Sequence, residues 1–187
     1  MRNFIIIGLV FAIFTAGCKS NQESKSSTQN IENSSSSCVE KEEPNEGNEN
    51  PILIKTCTFS KYQSISKGYP DSKGRYSYQY QLFVKNDKNE WIEVKNDVIF
   101  NNKKEKLLSE INNKIKLEFE NFMKDPNSVD CFKDFSLFPF DFNQLGIDFD
   151  GQKFNFNVTF GLPEYCKAFE GAIISYNFGE MQTYLKD

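Results

Sequence analysis

The chain has 187 residues, with 22 Lys and Arg against 26 Asp and Glu, a formal net charge of −4 and no histidine. An acidic balance without a basic stripe excludes nucleic acid as a partner class, and a chain lacking histidine cannot build a Ser-His or Cys-His nucleophile. The 19 Phe and 8 Tyr supply large apolar area per residue, enough for one domain with a real core.

The first element is Met1-Arg2-Asn3, an apolar run from Phe4 to Phe14, then Thr15-Ala16-Gly17-Cys18. The run is shorter than the roughly 20 residues a spanning helix needs, follows a cation and ends in small residues before a cysteine. Residues 1–17 therefore resemble a bacterial lipoprotein signal, although Thr15 stands where an aliphatic residue is usual. The resemblance implies lipidation of Cys18, and two or more acyl chains hold a protein durably to a membrane. The expectation is a membrane-anchored lipoprotein outside the cytoplasm, without nucleotide or other cofactor. Lys19 and Ser20 after the lipidated cysteine bear on sorting, and the outer membrane is the expected destination. Residues 18–50 are Ser, Asn, Glu, Gln and Lys with almost no apolar residue, the composition of a disordered tether. A single globular domain is expected over residues 51–187.

Ile52 to Phe59 is rich in β-branched residues and reads as a strand, followed by a loop through Tyr69-Pro70-Asp71 to Gly74. Tyr76, Tyr78, Tyr80, Leu82 and Val84 alternate with Arg75, Ser77, Gln79 and Gln81, the period of a strand with one wet face. Asn86 to Asn89 is a turn, and Trp91 to Val94 a hairpin partner. From Asn102 to Lys124 the period changes: Leu108, Ile111, Ile115, Phe119 and Phe122 form the stripe of an amphipathic helix whose polar face is solvated. Asp125-Pro126 stops it. Pro139 argues against a central strand in the aromatic segment from Phe132 to Phe142.

Asp150-Gly151 between the alternating runs Ile147, Phe149 and Phe154, Phe156, Val158, Phe160 is a hairpin signal. Ile173 to Tyr176 makes a last strand, and a short helix follows between Gly179 and Lys186. The sum is an α+β domain in which an antiparallel sheet carries one long helix on a single face.

Five cysteines are present, and lipidation of Cys18 leaves Cys38, Cys57, Cys131 and Cys166 in a compartment where disulfides persist. Four cysteines allow three pairings. The favoured one joins Cys131 to Cys166, both at ends of regular elements, and Cys38 to Cys57, tying the tether's end to the first strand. Without histidine or a Cys-x-x-Cys pair the spacing does not suit structural zinc, and no metal is expected.

Asp141, Asp148 and Asp150 near a turn lack the further oxygens of a calcium loop. Asp141, Asp148 and Glu164 would serve a small cell-wall hydrolase only if two of them stood about 5 to 10 Å apart. No Gly-x-Ser-x-Gly motif is present, and no catalytic residue is assigned. Stacked aromatic rings on an exposed sheet bind sugars by apolar contact and hydroxyl hydrogen bonds. Core packing accounts for Tyr76, Tyr78 and Tyr80, whereas Tyr62 and Tyr69 in the Pro/Gly loop, with Tyr165, are the binding candidates.

The stretch Gly151 to Val158, then Leu162-Pro163-Glu164-Tyr165, Ala168, Glu170-Gly171-Ala172, Ile174-Ser175-Tyr176, Glu180-Met181 and Tyr184-Leu185 resembles a domain family of lysozyme-sensing anti-sigma factors and some peptidoglycan deacetylases. The resemblance covers residues 147–187, with Tyr165, Gly171, Tyr176 and Leu185 at its packing and turn positions. It implies a fold and no mechanism. The resulting expectation is a lipid-anchored, non-enzymatic binding module of the envelope, engaging cell-wall glycan or an envelope protein such as a lysozyme. The alternatives are the small hydrolase and a structural envelope lipoprotein.

Overall fold

A computed structural model describes residues 36–151 and 153–186. The expected signal peptide, Cys18 and the tether up to residue 35 lie outside the described residues. Strands β1 (Ser37–Glu43), β2 (Ile52–Phe59), β3 (Tyr62–Pro70), β4 (Tyr76–Lys85) and β5 (Trp91–Val94) form a five-stranded antiparallel sheet in chain order. Short turns dictate this order. Ser60 takes φ 53° between Phe59 and Tyr62, and the Asn86 carboxamide oxygen accepts the Lys88 and Glu90 N–H groups ahead of β5.

Two of these strands correct the sequence reading. β1 lies within residues 18–50, expected to be tether, yet it pairs with β2 from Ser37↔Thr58 to Glu43↔Ile52. The Cys38–Cys57 disulfide joins directly opposed residues of that ladder. All seven β1 residues are exposed, so the strand has no apolar face to betray it. β3 occupies the expected loop from Tyr62 to Pro70. Its inward positions after Tyr62 are Ser64, Ser66 and Gly68; the edge of β6 lies directly on Ser64 and the Tyr78 ring on Gly68, which keeps those two small.

The fold continues through α1 (Lys104–Phe122) and the one-turn α2 (Val129–Phe132) to a three-stranded antiparallel sheet of β6 (Gly146–Asp150), β7 (Lys153–Thr159) and β8 (Gly171–Asn177), then α3 (Phe178–Gln182). The α+β class with one long helix holds, with two sheets in place of one. The helix stripe buries Leu107, Ile111, Ile115 and Phe119, while Leu108 and Phe122 are partly buried. Each fully buried apolar side chain is worth about 2 kcal/mol of transfer. α1 ends as expected: the Asp125 carboxylate accepts the Asn127 N–H and Pro126 opens the next turn. Its polar face is not wholly solvated. The Asn112 carboxamide donates to the Phe140 carbonyl and accepts the Phe140 N–H, holding the irregular aromatic segment against the helix.

The smaller sheet stands with the free edge of β6 against the inner face of the larger one. The Phe149 N–H points away from β7 and donates to the buried Ser64 hydroxyl of β3, which covers an edge that would otherwise be sticky. On one side of this sheet Ile147, Phe149, Phe154, Phe156, Val158, Ile174 and Tyr176 face the core. Phe149 packs on Phe59 of the larger sheet and Tyr176 lies under the Lys114 ammonium of α1. The Cys131–Cys166 disulfide, with S–S 2.05 Å, ties α2 to the loop after β7. Phe119 meets Phe132 and Phe160 edge-on beside it.

Candidate binding cleft

The other side of the smaller sheet is polar, because the residues alternating with the phenylalanines are Gly146 and Asp148 on β6, Asn155 and Asn157 on β7, and Ile173 and Ser175 on β8. Strands β1 to β4 run on past the line where β6 meets them and overhang this face. The space between is a cleft of about 650 Å³. Its roof is made by Glu40 and Glu42 of β1, Leu53 and Lys55 of β2, Ser66 of β3, and Tyr78 and Tyr80 of β4; its floor is made by Asp148, Asn157 and Ile173.

The aromatic wall follows from strand period. Tyr76, Tyr78 and Tyr80 share one face of β4, with successive ring centroids 6.4 Å apart. Two glycines let the rings lie where they do. A Cβ on Gly68 would stand 2.8 Å from Cε1 of Tyr78, and one on Gly146 would stand 2.1 Å from Cδ2 of Tyr80. Tyr78 therefore leans flat over β3 and remains 49% exposed, while Tyr80 is pinned between the sheets. Burial, then the negative charge of Asp148 and the neighbouring Tyr78, pushes the Tyr80 hydroxyl well above its ordinary pKa, so it stays a protonated donor.

On the floor, the Asn157 carboxamide donates to the Asp148 carboxylate at 3.0 Å and to the Gly146 carbonyl, fixing which way both polar groups present themselves. Ser66 lies at the back of the cleft. It is 6% exposed and its hydroxyl has no hydrogen-bond partner among the described residues. A nearly buried hydroxyl facing open space is normally satisfied by water or by a ligand. The far end of the roof is tied down by ion pairs. At the β3–β4 turn the Asp71 carboxylate accepts the Lys73 and Arg75 N–H groups, and both cations reach Glu164 in the loop after β7. The Arg75 N–H foremost holds the Asp71 carboxyl down at about 2. Lys73 and then Arg75 lower that of Glu164.

The candidate tyrosines fall differently from expectation. Tyr62 is core, 3% exposed, with its hydroxyl donating to the Lys186 carbonyl. Tyr69 sits on β3 with the opposite parity to Ser66 and Gly68, facing away from the cleft. Tyr165 is exposed beside Glu164 but does not line the cleft. The residues that do line it, Tyr78 and Tyr80, carried the right signal in the alternation of β4, which equally fits packing. The three acids weighed for hydrolysis do not gather there either. Asp148 lines the cleft, Asp141 caps a short 3-10 turn by accepting the Asn143 and Gln144 N–H groups, and Glu164 is held by Lys73 and Arg75. Asp150 pairs with Lys55. Among the described residues no group of acids and cysteines is arranged to hold a metal ion, and no helix is long and apolar enough to cross a membrane.

No family model matches this chain, and no curated protein or solved structure is significantly similar to it. The cleft must be read from its own chemistry.

Proposed function

We propose that the chain is a lipid-anchored, non-enzymatic binding module on the outer side of a bacterial membrane, and that the tyrosine-walled cleft holds its ligand, a segment of cell-wall glycan. The observation that carries this reading is the pairing of an exposed aromatic ring, Tyr78, with unsatisfied or outward-facing polar groups, Ser66, Asp148 and Asn157, across one open cleft. Sugars need both: C–H faces stack on aromatic rings while hydroxyls exchange hydrogen bonds with carboxylates, amides and hydroxyls. Two disulfides support an oxidising compartment, in line with export. The anchor and the envelope location rest on the signal-like residues 1–18 and on the resemblance of residues 147–187 to wall-associated domains.

The test is calorimetry of the full chain in detergent micelles against soluble peptidoglycan fragments, with lysozyme titrated separately. Micromolar binding of the fragments, lost in Tyr78→Ala, is the expected outcome. Binding of lysozyme alone would move the function to protein recognition. Silence toward both would overturn the reading and leave a structural envelope role.

A further inference from the structure

We infer that the cleft selects a glycan carrying free amines, a glucosamine-type chain with protonated amino groups, over its N-acetylated or acidic counterparts. This rests on the proposal that the cleft is a glycan site and adds the charge of the ligand.

The argument is a local charge balance. Three carboxylates line the cleft, those of Glu40, Glu42 and Asp148, with two ammonium groups, those of Lys41 and Lys55. Both lysines are engaged by acids outside the lining. Lys41 pairs with Glu43 at 2.6 Å and Lys55 with Asp150 at 3.2 Å. Glu40 and Glu42 share the inward parity of Cys38 on β1 and have no ion-pair partner among the described residues. Asp148 has only the neutral Asn157 carboxamide. The lining thus carries three carboxylates against two ammonium groups already paired with other acids, Lys55 opposite Glu40 among them, a net negative charge beside aromatic rings whose faces attract cations.

Acidity alone would describe a solvated surface. The independent sign of a ligand is Ser66, a residue more than nine-tenths buried that lines the same cavity and whose hydroxyl has no hydrogen-bond partner among the described residues. Together these groups ask for a ligand with hydroxyls to satisfy Ser66, a flat C–H face for Tyr78 and a positive charge for Glu40, Glu42 and Asp148. A glucosamine unit carries all three on one ring. A lysine-rich peptide offers charge without the stacking face, and an acidic glycan would be repelled.

The experiment compares the β-linked hexamer of glucosamine with that of N-acetylglucosamine, titrated into the full chain in detergent micelles at roughly pH 6, where the sugar amine is protonated. The expected result is binding of the amine-bearing hexamer about tenfold tighter. That preference should shrink as salt rises from about 0.05 to 0.5 M, and disappear in the variant E40Q/E42Q/D148N, whereas Tyr78→Ala should weaken both ligands. Equal affinities, or a preference for the acetylated hexamer, would overturn the charge inference and leave the glycan site standing. Binding of neither hexamer would overturn both. Oligolysine competing as well as the glucosamine hexamer would also overturn the inference, since charge without a sugar ring would then suffice.

Discussion

The two faces of the β6–β8 sheet are made by the same three strands and have opposite fates. On one face Phe149, Phe154 and Phe156 are fully buried against Phe59, Phe100 and Phe178. On the other, Asp148, Asn157 and Ile173 look into open space beneath the tyrosines of β4. Strict alternation sorts them, because successive side chains in a strand point to opposite sides. The difference teaches that the cleft is no packing defect. A chain able to fill one face so densely has placed carboxylate, carboxamide and hydroxyl groups on the other, and roofed them with a sheet that overhangs without closing.

Breaking the packed face should cost most. Phe156 is wholly buried and touches Phe100, Phe142, Phe154 and Tyr176. Phe156→Ala is expected to destabilise the domain by about 3–5 kcal/mol, a large part of a typical domain's stability, as a lowered urea midpoint would register. The seam between the faces should come next. Gly146→Ala sets a Cβ against the Tyr80 ring, which must move or push the sheets apart, at about 1–3 kcal/mol. Comparing its urea midpoint with that of Asn157→Ala, one residue across on β7, sharpens the contrast. The latter removes a carboxamide from an open floor, and a loss as large as that of Phe156→Ala would show that the floor bears weight after all.

The packed face was far more legible in the sequence than the open one. Apolar residues, mostly phenylalanine, at alternate positions from Ile147 to Phe149 and from Phe154 to Phe160, the helical stripe through Ile111, Ile115 and Phe119 and the Asp150-Gly151 turn all announce burial by period, and the structure follows them. Both favoured cysteine pairings are formed. What escaped notice is the material of the roof. β1 is exposed along its whole length, and β3 turns Ser64, Ser66 and Gly68 inward, so neither shows the apolar alternation by which a strand is recognised. Those small residues are legible only once their neighbours are known: Ser64 receives the edge of β6 and Gly68 makes room for Tyr78. The site was hidden for the same reason. Tyr78 and Tyr80 show their parity in the sequence, but whether that parity meets core or cleft depends on where β6 crosses the larger sheet, a contact between residues about 70 positions apart.

The smallest expected effect concerns the ion pairs that moor the free end of the roof. Asp71 is held at about 2 and Glu164 is also lowered, so the folded state favours both charged forms. A depressed carboxyl contributes its stabilisation fully above its unfolded pKa, about 4, and loses it as pH falls through the folded value. The mooring should therefore be complete at neutral pH and loosen between about pH 4 and pH 2. Because Lys73 and Glu164 are exposed, Asp71 and Arg75 partly so, and salt screens them, overall stability should barely register the change. The local signal should be clear: the Arg75 Nε–H resonance, donated to Asp71, is expected to hold its position down to the low end of that window and to lose its protection in Asp71→Asn already at neutral pH. If the tyrosine ring signals of β4 then stay unmoved, the roof is held open by its own sheet twist. If they shift with Arg75, the contrast between the two faces depends on this mooring as well as on alternation, and cleft width becomes a property of the turn at Asp71.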